Sequence, residues 1–471
     1  MKFWLLSLVF FANCSVVFYR SMSVNPENFQ YEKISKAYFG PHHEEPFPLT
    51  ARRGVNIFGR TTKDGRFLFF ASDVSGNMDI LFRDLQTSVI VPVTRHPSTD
   101  TKPAIHPSGK KIAFVSERFD SEGDILIMDI DPKEWLEEYL KGNRLALSQS
   151  FICPTNVNYK DPSKIERYID TDPTWSPDGR YIAFVTNRFN RSLTNLALID
   201  TKENYKIIQL TEKGGASPTF SPDGKNIYYV SYKDQKQGEI YKLNLETKQE
   251  ERITNDVYID LSPSVSEDGR FLIYTSIRKD SNDNGKIGLR DHAYIIRVDL
   301  QTNKRLALSA GNFSLFDTYY SNFNGGSILF SASLNNALNV YFIPLEGEIP
   351  KQPNIQLQYE FAKLYKERRV EFHELAYNAI FLYYGNDPLY PLYKSRADRQ
   401  LVKEYEEEGN YIKANEILQE MLKQKDDPLY GFSYALAISH LKYKRGEDPI
   451  PELIKYYESY KNRKDVHPQI P

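Results

Sequence analysis

Along most of this chain apolar and polar residues alternate in short runs, the period-two signature of strands with one face buried. Five such runs follow a tight turn: RFLFFAS, KKIAFVS, RYIAFVT, KNIYYVS and RFLIYTS come directly after Gly65, Gly109, Gly179, Gly224 and Gly269. Each turn is Pro-Asp-Gly or a variant. Proline sets φ for the turn, glycine supplies the left-handed residue that closes the hairpin, and the aspartate bonds backbone beyond it. A third strand follows in each unit (NMDILFRDL, GDILIMDID, TNLALIDT, GEIYKLNLE, AYIIRVDL), and a fourth ends it (VIVPVT, RLALS, IIQLT, ERIT, RLALS). The glycine spacings are 44, 70, 45 and 45. A four-stranded unit repeated near that period cannot bury both faces alone, so the units must pack radially as blades.

A sixth unit is degenerate, running through Gly325-Gly326, SILFSAS and LNVYFIPL without an outer strand. Pro46-Phe47-Pro48-Leu49-Thr50, ahead of the first blade, reads like the endings QLT and RIT. The expected fold is therefore mainly β, a six-bladed β-propeller over 46–350 closed by this N-terminal strand, since closure leaves no exposed edge. Two stretches exceed the period. In blade two, PKEWLEEYLKG (132–142) reads as a short helix and Gln149 to Asp170 as a polar excursion containing Cys153; insertions in a ring leave on loops, and loops carry function.

The second excess lies in blade five. Residues 280–291, DSNDNGKIGLRD, place Asp280, Asn282 and Asn284 at alternate positions, Gly285 sixth, the Lys286 carbonyl seventh and Asp291 twelfth. That is the spacing of a calcium loop, with Ile287 pinning it to the core. Asn at two positions and a short Asp at the last reduce its charge, so a structural Ca²⁺ would bind weakly. The competing reading is an Asn/Gly-rich hairpin tip that holds no ion.

After about Gln356 the period becomes helical. Leu401, Tyr405, Gly409, Tyr411, Ala414, Leu418 and Pro428 match the spacing of a tetratricopeptide helix pair, which marks 351–471 as an α-helical domain. A plain helical cap is the alternative. Lys and Arg number 60 against 62 Asp and Glu, a formal charge of −2, which supplies no general attraction for nucleic acid. With two cysteines there is neither a disulfide framework nor a cysteine zinc site. Lys2 followed by an apolar run from Phe3 to Ala12 has the length of a secretory signal, too short to span a bilayer. The run ends at Asn13-Cys14-Ser15, which resembles a bacterial lipobox: residues 1–13 would be the signal peptide, Cys14 the lipidated first residue and 14–45 a linker.

The repeated unit, as in DPTWSPDGRYIAFVTNR and ASPTFSPDGKNIYYVSY, resembles the WD40-like propeller repeat of TolB-type periplasmic proteins. The resemblance implies a cell-envelope protein that docks partners such as peptidoglycan-associated lipoproteins, here anchored on the periplasmic side of the outer membrane or at the cell surface. This chain differs in having no α/β domain before the ring and helices after it. Similar propellers precede peptidase domains, but Gly431-Phe432-Ser433-Tyr434-Ala435 lacks the strand a nucleophile elbow needs. His96, His106 and His292 fall on different elements without ligand spacing, and His106 takes the place of Ser in the turn motif. The expectation is a non-enzymatic, lipid-anchored scaffold; the alternative is a carbohydrate-active enzyme with its site in the propeller channel. Converging acids or histidines in the channel would mark the enzyme, an apolar or aromatic patch the scaffold.

Overall fold

The computed structural model describes residues 35–36, 47–50 and 55–345 with short internal breaks (88, 143–149, 235–236, 284, 286, 290, 310–313, 335–336). In the C-terminal part it describes scattered positions from 355, then chiefly 387–424 and 437–451. The chain divides into two units, Met1–Lys351 and Gln352–Pro471.

The first unit contains six sheets of antiparallel strands, set in chain order from the inside outward except that an N-terminal segment supplies the outermost strand of blades five and six. Blade three is typical: Asp170–Trp175, Tyr181–Thr186, Asn195–Asp200 and Lys206–Gln209. The inner strand of every blade packs beside those of its two neighbours, the sixth beside the first. Second strands are almost wholly buried because both of their faces meet a neighbouring blade, so FLFFAS and YIAFVT bury residues of either parity. The core lies between blades: Ile182, Phe184, Ala197 and Ile199 of blade three pack with Ala113, Val115, Ile125 and Ile127 of blade two.

The five turns are nearly superimposable in their torsions. Gly65, Gly109, Gly179, Gly224 and Gly269 have φ of 71°, 70°, 71°, 70° and 71°. Asp178 Oδ1 accepts from Ser176 Oγ and from the Arg180 amide at 3.0 Å, and Asp223 and Asp268 repeat the arrangement. In blade two the parts are exchanged: His106 Nδ1 bonds Ser108 Oγ at 2.7 Å, and Ser108 Oγ accepts from the Lys110 amide at 3.2 Å. The sixth unit turns through a 3₁₀ segment, Phe323–Gly325, instead.

At the opposite end of each blade a hydroxyl closes the outer strand onto the third. Thr94, Thr155, Thr211, Thr254 and Ser309 accept from the amides of Ile80, Ile125, Leu196, Ile240 and Ile295 at 2.9 to 3.0 Å. In the sixth blade Thr50 takes this role on the Val340 amide at 3.0 Å, and Phe47–Pro48 pairs antiparallel with Phe342 and Tyr341. Blade two departs from expectation: its outer strand is Phe151–Ile152, beyond the insertion, while the RLALS run at 144–148 lies outside the described residues. The strand and Thr155 are thus drawn from what read as a polar excursion. Its expected helix forms as α1, Pro132–Leu140, capped by Asp131. Blade five gains a fifth, parallel strand, Ser35–Lys36, from the segment expected to be only a linker.

In the second unit, α2 (Tyr390–Glu407) and α3 (Tyr411–Gln424) pack together, burying Leu401, Tyr405, Ala414 and Leu418. Gly409, at φ 74°, makes the turn between them. Pro428 lies outside the described residues, as do Cys14 with the signal segment and 431–435. No helix among the described residues is long and apolar enough to cross a membrane.

Candidate functional site

Every inner strand slips register once, and a left-handed residue other than glycine sits in each slip: Phe58, Lys102, Asp172, Ser217, Ser262 and Asp317, with φ between 48° and 61°. A left-handed L-residue costs roughly 1–2 kcal/mol, so six copies persist only because the packed ring over-determines them. The bulge turns these side chains toward neighbouring blades. Lys102 Nζ lies 2.6 Å from Asp172 Oδ1, donates to Thr171 Oγ1 and stands 5.6 Å from the Phe58 ring centroid. Arg60 grips Asp317 with both terminal nitrogens, at 2.8 and 2.6 Å, and Phe58 meets Phe316 edge-on at 6.0 Å. The charges therefore cancel in pairs across blades six, one, two and three, while blades four and five offer only serines.

These positions were missed in the sequence, although a signal exists. Four of the six precede proline (Pro103, Pro173, Pro218, Pro263), a repeat that marks a backbone irregularity.

The other end of the blades carries buried carboxylates. Arg118 binds Asp100 at 2.6 Å and Arg188 binds Asp170 at 2.7 Å. Burial, opposed by Arg188, still raises Asp170 to about 6, and burial with Asp120 nearby raises Asp124 to about 7. In blade five the equivalent Arg278 keeps the Nε bond that Arg188 makes to Thr186, here to Ser276 Oγ at 2.8 Å, but its guanidinium lies 4.4 Å from the Tyr258 ring centroid and 3.7 Å from Asp256. Carboxylate oxygens of Glu239, Asp256 and Asp260 gather there within 4.8 Å of one another. Burial and then Asp256 push the Asp260 carboxyl up. Arg252 lies 3.1 Å from Glu239, and Arg278 and Arg305 each lie 3.7 Å from Asp256. A cation entering this cluster would compete with three guanidinium groups, so the arrangement fits an internal ion-pair network better than a metal centre.

The blade-five loop closes on Asp291, which is buried. One carboxylate oxygen accepts from the Ser281 amide at 2.8 Å and Asn282 Nδ2 at 2.9 Å, and the other from the Gly288 amide at 2.8 Å. Asp280 accepts from the Gly285 amide at 2.7 Å. Asn284 and Lys286 lie outside the described residues. Ile287 is buried in the core cluster of blade five. As placed, the loop is held by N–H donors pointing at the two carboxylates, and a cation would have to displace some of them.

The three histidines do not come together. His106 stacks edge-on against Trp175 at 4.7 Å and reaches the Gly179 carbonyl, and burial lowers its pKa; the His96 amide donates to Asp79 and the His292 amide to Ser281 Oγ. Cys153 is buried, and burial pushes its thiol well up, which makes it unreactive.

The described residues of the blade-two insertion after 150 are held by hydrogen bonds. Thr155 and Asn156 donate to Asp124 at 2.9 and 3.4 Å, Asn156 exchanges bonds with the Glu166 backbone, and Arg188 reaches the Thr155 carbonyl at 3.2 Å. On it Phe119, Phe151 and Tyr159 form a three-ring cluster with centroids 4.8 to 6.0 Å apart.

Six sheets whose inner strands pack each beside the next around a ring define the chain as a β-propeller. The TolB beta propeller domain model matches residues 163–283. The Tol-Pal system protein TolB of Francisella tularensis subsp. tularensis is 26% identical over 157 residues, covering 29% of this chain and 36% of that protein. An uncharacterized protein of Agrobacterium fabrum is 29% identical over 137 residues, covering 29% of this chain and 42% of its own length. The chain thus spans well under half the length of these relatives. A putative TolB structure from Agrobacterium tumefaciens superposes with a TM-score of 0.44 at 18% identity, covering 62% of this chain and 91% of that one. TolB from Acinetobacter baumannii gives 0.40 at 17% identity, covering 54% of each chain. The protein is a six-bladed propeller related to the TolB family.

Proposed function

We propose that this protein is a lipid-anchored scaffold of the bacterial cell envelope that binds partner proteins through its propeller. Its likeness to TolB of the Tol-Pal system carries this reading, and the paired charges at the inner-strand bulges support it: there Asp317 is held by Arg60 and Asp172 by Lys102. Cys14 would bear the lipid, and two or three acyl chains give stable anchoring. Phe47–Pro48 and Thr50 close the ring, and α2 with α3 act as a tetratricopeptide-like pair presenting a second binding surface. Peptidoglycan-associated lipoproteins are the partner class this reading favours.

The test is membrane fractionation with in-cell crosslinking. Wild type should sediment with membranes and crosslink to envelope proteins, and Cys14→Ala should shift it to the soluble fraction. A Cys14→Ala variant that stays membrane-bound removes the anchor, and crosslinks confined to a metabolic enzyme or to none remove the scaffold. For the blade-five loop we retain Ca²⁺ as a weak structural ligand that Asp280, Asn282 and Asp291 would hold after Asp291 exchanges N–H partners for the cation. Equilibrium dialysis at about 1 mM calcium, the weak end of such loops, should show one ion bound; none bound leaves the bare hairpin tip.

A further inference from the structure

Among the described residues of the propeller unit, the large apolar side chains that stand exposed are Ile152 (45%), Val157 (71%) and Phe189 (41%). All three belong to one corner, the blade-two insertion and the adjoining loop of blade three. Arg188, next to Phe189, donates to the Thr155 carbonyl two residues before Val157, so the two loops are tied together. The exposure is not that of a slack loop, because the Asp124, Asn156 and Arg188 bonds fix the backbone beneath it. Aromatic and arginine groups flank it. Tyr168 is covered by Arg191 at 4.1 Å and Arg188 at 5.1 Å, and Arg118 lies 5.4 Å from the Phe151 ring centroid. Rigid aromatics beside arginines are the composition of interface hot spots, and pre-ordering lowers the entropic cost of binding.

The rim has a sign. Within 151–169 and 188–192 the exposed charged residues are Lys160, Lys164, Arg167 and Arg191 against Glu166, and Lys164 is neutralised by half-buried Asp161 at 2.9 Å. Over these two segments three cations therefore face one exposed acid around an apolar centre, with buried Asp120 of the adjoining Phe119 loop interacting with Arg167. We infer that this corner is the docking surface for a partner-protein segment with two or more large apolar side chains flanked by carboxylates. This rests on the reading of the propeller as a protein-binding module and names the surface and partner chemistry it would use.

The probe is a displayed library of random 12-residue peptides selected on the full-length protein. Enriched peptides should combine large apolar residues with Asp or Glu. Their binding should fall at least tenfold in Val157→Asp/Phe189→Asp and in Lys160→Glu/Arg191→Glu, and should weaken as salt rises from 50 to 500 mM. Thermal unfolding and circular dichroism of each variant must match wild type; if one does not, single Val157→Ser, largely exposed and outside the anchoring bonds, replaces it. Enrichment of basic or charge-free peptides, or binders indifferent to these substitutions, overturns the inference. If in-cell crosslinks to envelope proteins persist through the corner variants, the scaffold stands and only this surface falls.

Discussion

The two ends of the blades obey different rules. At the turn end, five glycines share φ to within a degree or two, and even the His106–Ser108 exchange reproduces the same hydrogen bond with its partners swapped. At the other end the loops diverge beyond an Asp–Arg pair shared by blades two and three. One carries an aromatic cluster, one is tied by Asp291, and one gathers three carboxylates with three arginines. The turn end is a backbone requirement, repeated wherever a hairpin must reverse within the crowded ring. The far end is free of that requirement once a single hydroxyl has secured the outer strand, and there the blades have diverged.

The sharpest way to break this contrast is at a turn. Gly179→Ala imposes a left-handed alanine and drives its methyl into the His106 ring, whereas the methyl of Gly224→Ala meets Pro177 at an ordinary 3.7 Å. Urea unfolding should show a loss of about 2–4 kcal/mol for the first and about 1–2 for the second. Equal losses would mean that torsion alone governs the turns. Next in size is the hydroxyl clasp. Thr50→Val leaves the buried Val340 amide unpartnered and should cost about 1–3 kcal/mol, as should Thr211→Val in blade three. A Thr50 variant as stable as wild type would show that the N-terminal strand does not complete blade six.

The pH dependence tests the divergent end. Asp124, raised to about 7, binds a proton in the folded protein that the unfolded chain releases near pH 4, so its contribution to stability is full in acid and is lost as pH rises through that interval. Asp124→Asn copies Asn195, the residue already present at this position in blade three. It should flatten the pH profile between about 4 and 7 and raise stability at pH 8 by on the order of 1–2 kcal/mol. An unchanged profile would place the ionisation elsewhere. The smallest expected effect lies in the inner ring: Ser217→Gly relieves a left-handed serine and should stabilise by at most about 1 kcal/mol, provided the bulge survives.

Blade number, strand order and turn chemistry were legible because each depends on a few consecutive residues. Thr50 could be read as an outer-strand ending because the pattern around it copies Leu210-Thr211 and Ile253-Thr254. The outer strand of blade two was misread for the same reason: RLALS has the local pattern, yet Phe151–Ile152 is what the structure places against Ile127 and Met128. The approach of Arg278 to Asp256 and Tyr258 had no trace in the sequence. The Asp-to-Arg spacing there is the same as in blades two and three, and Asp256 and Tyr258 come from the neighbouring loop.

Local physics therefore settled the blades: period-two alternation, glycine at positive φ and hydroxyls at strand ends specify hairpins without reference to distant residues. Their closure into a ring, the six left-handed residues around its axis and the exposed corner beside blade two were decided by packing. They depend on which blade lies beside which, and contacts between residues as far apart as Arg60 and Asp317 exist only after the last blade meets the first.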